Sequence, residues 1–314
     1  MEYREIAADV IAEVSKAVVG KDEIIQKIMM AILAGGHVLV EDMPGVGKTT
    51  MAIAFARALG LEEKRVQFTP DVLPSDLTGF TIYKKEQEQF VYQPGAVMCN
   101  LLLADEINRT SPKTQSALLE VMEEHQVTVD GVTRATGDPF VVIATQNPSG
   151  SAGTQLLPES QLDRFMICLK VGYPTVREEV EILKRNQTGR STELVENVMQ
   201  IEELLAAQRQ QEEVFVHDRI YTYIAQLAKA TREKAEFSMG LSPRGALALC
   251  KMAKACAYLE NREYVVPEDV RKVFFDVAVH RVVLTTKARV GHIKVQDLLG
   301  QVLDEVEPPS LKKR

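Results

Sequence analysis

Cysteine is scarce and scattered. Cys99, Cys168, Cys250 and Cys256 form no C-x-x-C pair and have no neighbouring histidine to complete a ligand set. That argues against a disulfide framework and a metal site, and the four thiols read as small buried apolar groups in a reducing compartment. A basic excess is also missing. Lys plus Arg number 37 against 44 Asp plus Glu, a formal charge of −7, and the pI is near 5.5. That argues against a general electrostatic grip on nucleic acid, which wants a basic face. The opening MEYREIAADVIAEVSKAVVG is acidic and amphipathic rather than basic then apolar, so it lacks the layout of a signal peptide. No apolar run approaches the roughly 20 residues of a membrane span. A cytoplasmic protein is expected.

What is present suits a sizeable soluble fold: 314 residues, 46% hydrophobic and 26% charged, enough for one large domain or two. Ile6, Val10, Ile11, Val14 and Val18 follow helical spacing, and after Gly20 the pattern returns at Ile24, Ile25, Ile28, Ile32 and Leu33. Apolar runs suited to buried strands lie at 37–41, 65–68, 101–104, 140–145 and 165–170. Helical patterns separate several of them, including Thr49 to Leu59 and Ser111 to Glu124. Near-continuous apolar strands alternating with helices predict a parallel sheet covered on both faces. Two excursions interrupt the rhythm. Residues 78–95 read as two short strands around a charged tip, and 126–136 as a hairpin turning at Asp130-Gly131. Beyond Tyr173-Pro174 no strand pattern recurs and helices alone are expected, with Pro267 placed where a first helical turn tolerates it. A boundary is therefore set there, giving domains 1–173 and 174–314, the latter ending in a mobile tail, EPPSLKKR.

Five segments carry chemistry. VLVEDMPGVGKTT, Val38 to Thr50, ends a strand, opens a helix and nearly fits the P-loop pattern G-x-x-x-x-G-K-[ST]. Gly45 and Gly47 let backbone N–H groups close around phosphate oxygens, Lys48 reaches the β and γ phosphates, and Thr49 holds Mg²⁺. Asp42 stands where the first glycine belongs, a position at which Asp tolerates unusual backbone angles. In NLLLADEINRTSPKTQ, Asp105 and Glu106 end an apolar strand. Alone, such a pair is a solvated surface feature. About sixty residues after a P-loop lysine, the first carboxylate suits the Mg²⁺ sphere and the second suits the attacking water. Asn147, past the strand VVIAT, is either a turn former before proline or an amide aimed at the γ-phosphate or water. Arg164 in LPESQLDRF is either a solvated cation or an arginine finger for a neighbouring subunit's nucleotide. Arg244 in LSPRGALAL sits in a first helical turn, where a cation opposes the macrodipole and so hints at an anionic partner.

With these residues in view the chain resembles the AAA+ ATPases, and within them the MoxR group. VEDMPGVGKTT is similar to the family's Walker A and NLLLADEINRTSPKTQSALLEVMEE to its Walker B, while QFTPDVLPSDLTG and LPESQLDRF also match. The similarity covers roughly Val19 to Val279. It implies an αβα sandwich with a five-stranded parallel sheet, followed by a small all-helical lid, with nucleotide bound between them. It implies nucleotide contacts from Val19, Gly20, Pro44, Gly45, Val46, Gly47, Lys48, Thr49, Thr50 and Asp105, with Thr49 and Asp105 serving Mg²⁺, Asp105 through water. It makes Glu106 the activator of water, Asn147 sensor 1, Arg164 the arginine finger and Arg244 sensor 2. The hairpins become a helix-2 insert (78–95) and a pre-sensor-1 insert (126–136), which face a central pore or a partner in related rings.

The implied activity is ATP hydrolysis by a hexameric ring that remodels or activates client proteins, with a von Willebrand factor A domain protein as partner. The alternative is the motor subunit of a chelatase-like metal-insertion complex. A nucleic-acid motor is disfavoured by the acidic chain and by hairpin tips of mixed charge. Arg109 is left between capping its own loop and facing a neighbouring subunit's nucleotide, with the interface role favoured.

Overall fold

The computed structural model describes residues 2–42, 47–147, 157–186 and 191–310. The chain opens with α1 (Glu2–Ala17), which buries Ala7, Val10, Val14 and Ala17 along one face, and α2 (Asp22–Leu33). Between them Gly20 takes φ 71°, a left-handed turn that costs glycine little. Then come β1 (Val38–Glu41), α3 (Lys48–Ala58), β2 (Glu63–Gln67), α4 (Pro74–Thr78) and the hairpin of β3 (Phe80–Lys84) with β4 (Gln89–Gln93). β5 (Leu101–Asp105) leads through a 3-10 turn at Ile107–Arg109 into α5 (Pro112–Glu124). A second hairpin follows, β6 (Gln126–Val129) with β7 (Val132–Ala135), then β8 (Val141–Gln146), α6 (Glu159–Leu162) and β9 (Ile167–Leu169).

Five of these strands form one parallel sheet in the order β2-β5-β8-β1-β9. Its two faces follow from side-chain alternation. Val38, Val40, Leu101, Leu103, Val141 and Ile143 join one core, and Leu39, Leu102, Ala104, Val142 and Ala144 the other. Strands buried on both sides are dominated by apolar residues, as the central ones are apart from Thr145 and their terminal residues. β2, at an edge, alternates half-buried and exposed residues and keeps charges. Because all five strands run the same way, the ends of β1, β5 and β8 open onto one edge of the sheet, where open α/β sheets hold their ligands.

The second half of the chain is helical: α7 (Val176–Asn186), α8 (Ile201–Glu212), α9 (Asp218–Glu233), then α10 (Pro243–Leu259), α11 (Pro267–Ala278), α12 (Thr286–Val290) and α13 (Val295–Glu305). It also holds two short strands that the sequence pattern did not reveal, β10 (Phe237–Met239) and β11 (Val283–Leu284), paired antiparallel. The first core runs without a break from the sheet through α1 and α2 into α10 and α11. Burial pushes the thiols of Cys99, Cys168 and Cys256 up to about 12, so they stay protonated at neutral pH. Among the described residues no helix is long and apolar enough to cross a membrane.

Candidate functional site

The open edge of the sheet gathers Lys48, Asp105, Glu106 and Asn147 from among the residues that the sequence singled out. Gly47 caps α3 with φ 92°, and an added Cβ there would meet nothing within 4 Å, so backbone conformation rather than space requires glycine. Lys48, only 9% exposed, donates from Nζ to the Asp42 carbonyl at 2.9 Å. Its burial pulls the ammonium below its ordinary value, against the nearby charges of Asp105, Asp42 and Glu106. Thr49 and Thr50 follow in the first turn of α3, half-buried. Pro44, Gly45 and Val46, expected to touch nucleotide, lie outside the described residues.

β5 delivers its two carboxylates in different ways. Asp105 ends the strand and takes two partners, Thr145 Oγ1 at 2.6 Å on one oxygen and Arg65 at 2.8 Å on the other. Glu106 turns the chain into the left-handed region at φ 58°, which costs a non-glycine residue roughly 1–2 kcal/mol. Three hydrogen bonds hold it there. Its N–H donates to Thr145 Oγ1 at 2.9 Å, and its carboxylate accepts from Arg109 at 2.7 Å and from Asn147 Nδ2 at 3.1 Å. Arg109 first, then Asn147, holds the Glu106 carboxyl below the usual carboxylate range, against burial and the Asp105 charge. Arg109 therefore pairs with Glu106 of its own chain. Asn147 leaves Oδ1 buried without a hydrogen-bond partner among the described residues. Its backbone is clasped by Asn108, which donates to the Asn147 carbonyl at 3.2 Å and accepts its N–H at 3.4 Å.

Thr145 and Asn108 were missed in the sequence. Thr145 is fully buried, and the signal was a lone hydroxyl in the otherwise apolar run VVIAT. One Oγ1 joins both acids to β8. Asn108 was given no role from the sequence, and it is 2% exposed. The odd residue of the P-loop also has a use, since the Asp42 carboxylate accepts the N–H of Gly172. That contact ties the base of the loop to the connector before α7. The turn at Val19 and Gly20 reaches the same connector. Lys21 Nζ donates to the Tyr173 carbonyl at 3.3 Å, and the Glu178 side chain fills the place a Gly20 Cβ would take.

Arg164 and Arg244 are elsewhere. Both pair with Glu123, at 3.3 and 3.1 Å. Glu123 lies at the far end of α5, whose 13 residues carry the chain roughly 20 Å back from the Glu106 corner. The same hollow is lined by Gly35, Gly36 and His37, which precede β1. Both arginines thus occupy the edge of the sheet opposite Lys48. Arg244 therefore does not stand beside the Lys48 of its own chain. The segment that packs against the base of the P-loop and the Gly20 turn is instead the connector at Gly172 with the start of α7 at Glu178.

The donor set at the open edge suits a Mg-nucleotide: a buried ammonium, a helix N-terminus entered through a left-handed glycine, a threonine hydroxyl, adjacent carboxylates and an unpartnered amide oxygen. Comparison with known proteins identifies an ATPase family. Residues 37–167 match the family described as ATPase family associated with various cellular activities (AAA), and 229–301 match its AAA lid domain. The uncharacterized protein YeaC of Bacillus subtilis is 44% identical over 98% of this chain and 98% of its own. Chaperone MoxR1 of Mycobacterium tuberculosis is 39% identical over 96% of this chain and 82% of its own. The crystal structure of an ATPase candidate from Cytophaga hutchinsonii superposes with a TM-score of 0.92 at 37% identity, covering 98% of this chain and 96% of that one. The chain belongs to the MoxR family of AAA+ ATPases and is an enzyme that hydrolyses ATP.

Proposed function

We propose that this chain is the subunit of a hexameric, Mg²⁺-dependent ATPase ring whose hydrolysis cycle remodels or activates a client protein in the cytoplasm, with a von Willebrand factor A domain protein as adaptor. The observation that carries the catalytic part is the single Thr145 hydroxyl bonded to both Asp105 and the Glu106 N–H beside buried Lys48. Lys48 and the amides at the start of α3 bind the phosphates, with Val19 and Gly20 toward the base. Thr49 and Asp105 would hold Mg²⁺, Asp105 through water, and the ion would supply charge neutralisation to the bound phosphates. Glu106, kept ionised by Arg109, takes a proton from the attacking water. Asn147 Nδ2 fixes that carboxylate, and the unpartnered Oδ1 is left to orient the water.

Arg164 and Arg244 stand too far from their own Lys48 to serve it, so they act on the neighbour's γ-phosphate. Glu123 holds them as a pair until that phosphate arrives. The likeness to a chaperone supports a protein client, and the acidic chain supports it over nucleic acid. The test is Glu106→Gln. Its steady-state turnover should drop by about a hundredfold or more, while ATP stays bound through gel filtration and partners are retained in a pull-down. Turnover at the parent rate would remove Glu106 from the mechanism.

A further inference from the structure

Arg281, just past α11, is 3% exposed, yet it carries a guanidinium into the core. Burying a charge is costly unless every donor is matched, and here each nitrogen is. Nε donates to Asp163 Oδ1 at 2.6 Å. One terminal nitrogen donates to the carbonyls of Met166 and Val277 at 3.0 and 2.6 Å, and the other to those of Asp163 and Phe165 at 3.1 and 2.6 Å. Three of those acceptors, the carbonyls of residues 163, 165 and 166, flank Arg164. The Asp163 carboxylate uses its other oxygen to accept from Ser242 Oγ at 2.9 Å, and Ser242 caps α10 two residues before Arg244. Gly245 completes the fit, because a Cβ there would stand 2.8 Å from Arg281 Cδ.

We propose that Arg281 is the positioning residue for Arg164 and Arg244, fixing the backbone of the first directly and that of the second through Asp163 and Ser242, so that both arginines reach a neighbouring subunit's nucleotide as one rigid unit. The inference rests on the trans role of those arginines proposed above. A buried arginine that served only folding would have no reason to converge on the tetrapeptide around Arg164 and on the cap before Arg244. Their shared partner Glu123 shows that the two tips meet where the two bases are tied.

The test is Arg281→Lys, which keeps the charge and loses the planar fork, with Asp163→Asn as the second variant should the first fail to assemble. ATP turnover is measured alone and after mixing with an excess of Glu106→Gln chains, with Arg164→Ala run in parallel. Alone, kcat should drop by about a hundredfold, the scale of a 1 Å misplacement near reacting groups, while KM stays within about threefold because the variant's own binding residues are untouched. After mixing, turnover per variant chain should recover, since each intact site then faces the correctly held arginines of a Glu106→Gln neighbour. A parent rate alone overturns the proposal. So does a loss that mixing leaves unrepaired while the Arg164→Ala mixture recovers, which would mark Arg281 as structural. If neither mixture recovers, the trans role itself fails and this inference goes with it.

Discussion

At the scale of single residues, the site turns on one hydroxyl. Thr145 Oγ1 is shared between the Asp105 carboxylate and the Glu106 N–H, so it sets where both acids stand. Thr145→Val keeps the shape and removes both bonds, and should lower ATP turnover by about 10- to 100-fold, as outer-shell substitutions at metal sites do. Thr145→Ser should stay near the parent. Steady-state phosphate release distinguishes them. Arg109 offers a pH readout. Because it is the main cause of the depressed Glu106 carboxyl, Arg109→Ala raises that value toward the ordinary range. The acid limb of the turnover profile, where the base becomes protonated, should therefore move to higher pH. The stability contribution has the matching sign. A depressed carboxyl stabilises the fold above its unfolded pKa and loses that effect as pH falls through the folded value, so the variant's deficit should be present at neutral pH and vanish in acid. Lys48, Asp105 and Glu106 were readable because their motif spacing is chemical. Thr145, Asn108 and Arg281 were not, because each acts through partners distant in the chain: β5 for Thr145, Asn147 just past β8 for Asn108, and the turn at Asp163 to Met166 for Arg281.

At the scale of elements, the buried strands were legible from continuous apolar runs, and both hairpins from their turns. β2 was legible only in part, since an edge strand keeps the charges of Glu63, Lys64 and Arg65 and loses the apolar signature. β10 and β11 escaped because strands of three and two residues carry no periodicity to read. The inserts are not independent. Arg134 of the second hairpin lies 3.9 Å over the Tyr92 ring of the first, a cation–π contact that joins them. The first hairpin also shows solvent an aromatic pair, Tyr83 and Phe90, with ring centroids 5.2 Å apart. In the second, Asp130 and Gly131 both take positive φ, 51° and 75°, as a two-residue hairpin turn of this hand requires. Gly131→Val should strain that turn by about 1 kcal/mol or more. Hydrogen exchange should rise across Gln126 to Ala135 while β1, β5 and β8 keep their protection. Unchanged exchange in the hairpin would contradict the turn assignment.

At the scale of the molecule, the parallel sheet separates two charged clusters. Its open edge carries Lys48, Asp105, Glu106 and Asn147, and its opposite edge carries Arg164 and Arg244 on Glu123. The fold class and the MoxR resemblance were readable in the sequence. The side of the sheet on which Arg244 stands was not, because it depends on how the lid packs. α10 rests against α2 and α11, and the core runs through all of them, which fixes Arg244 away from its own loop. On the trans role proposed for the two arginines, each chain would be half of two sites, and activity would belong to the assembly. The most direct measurement is ATP turnover in an equimolar mixture of Arg164→Ala and Glu106→Gln proteins. Each alone should be nearly inactive, the first by about a thousandfold if its guanidinium stabilises the transferring phosphoryl group. Mixed, the intact site of one should meet the intact arginine of the other, and turnover should rise at least about tenfold above the sum of the two. A mixture no faster than that sum, from subunits shown to co-assemble, would contradict a site shared between neighbours.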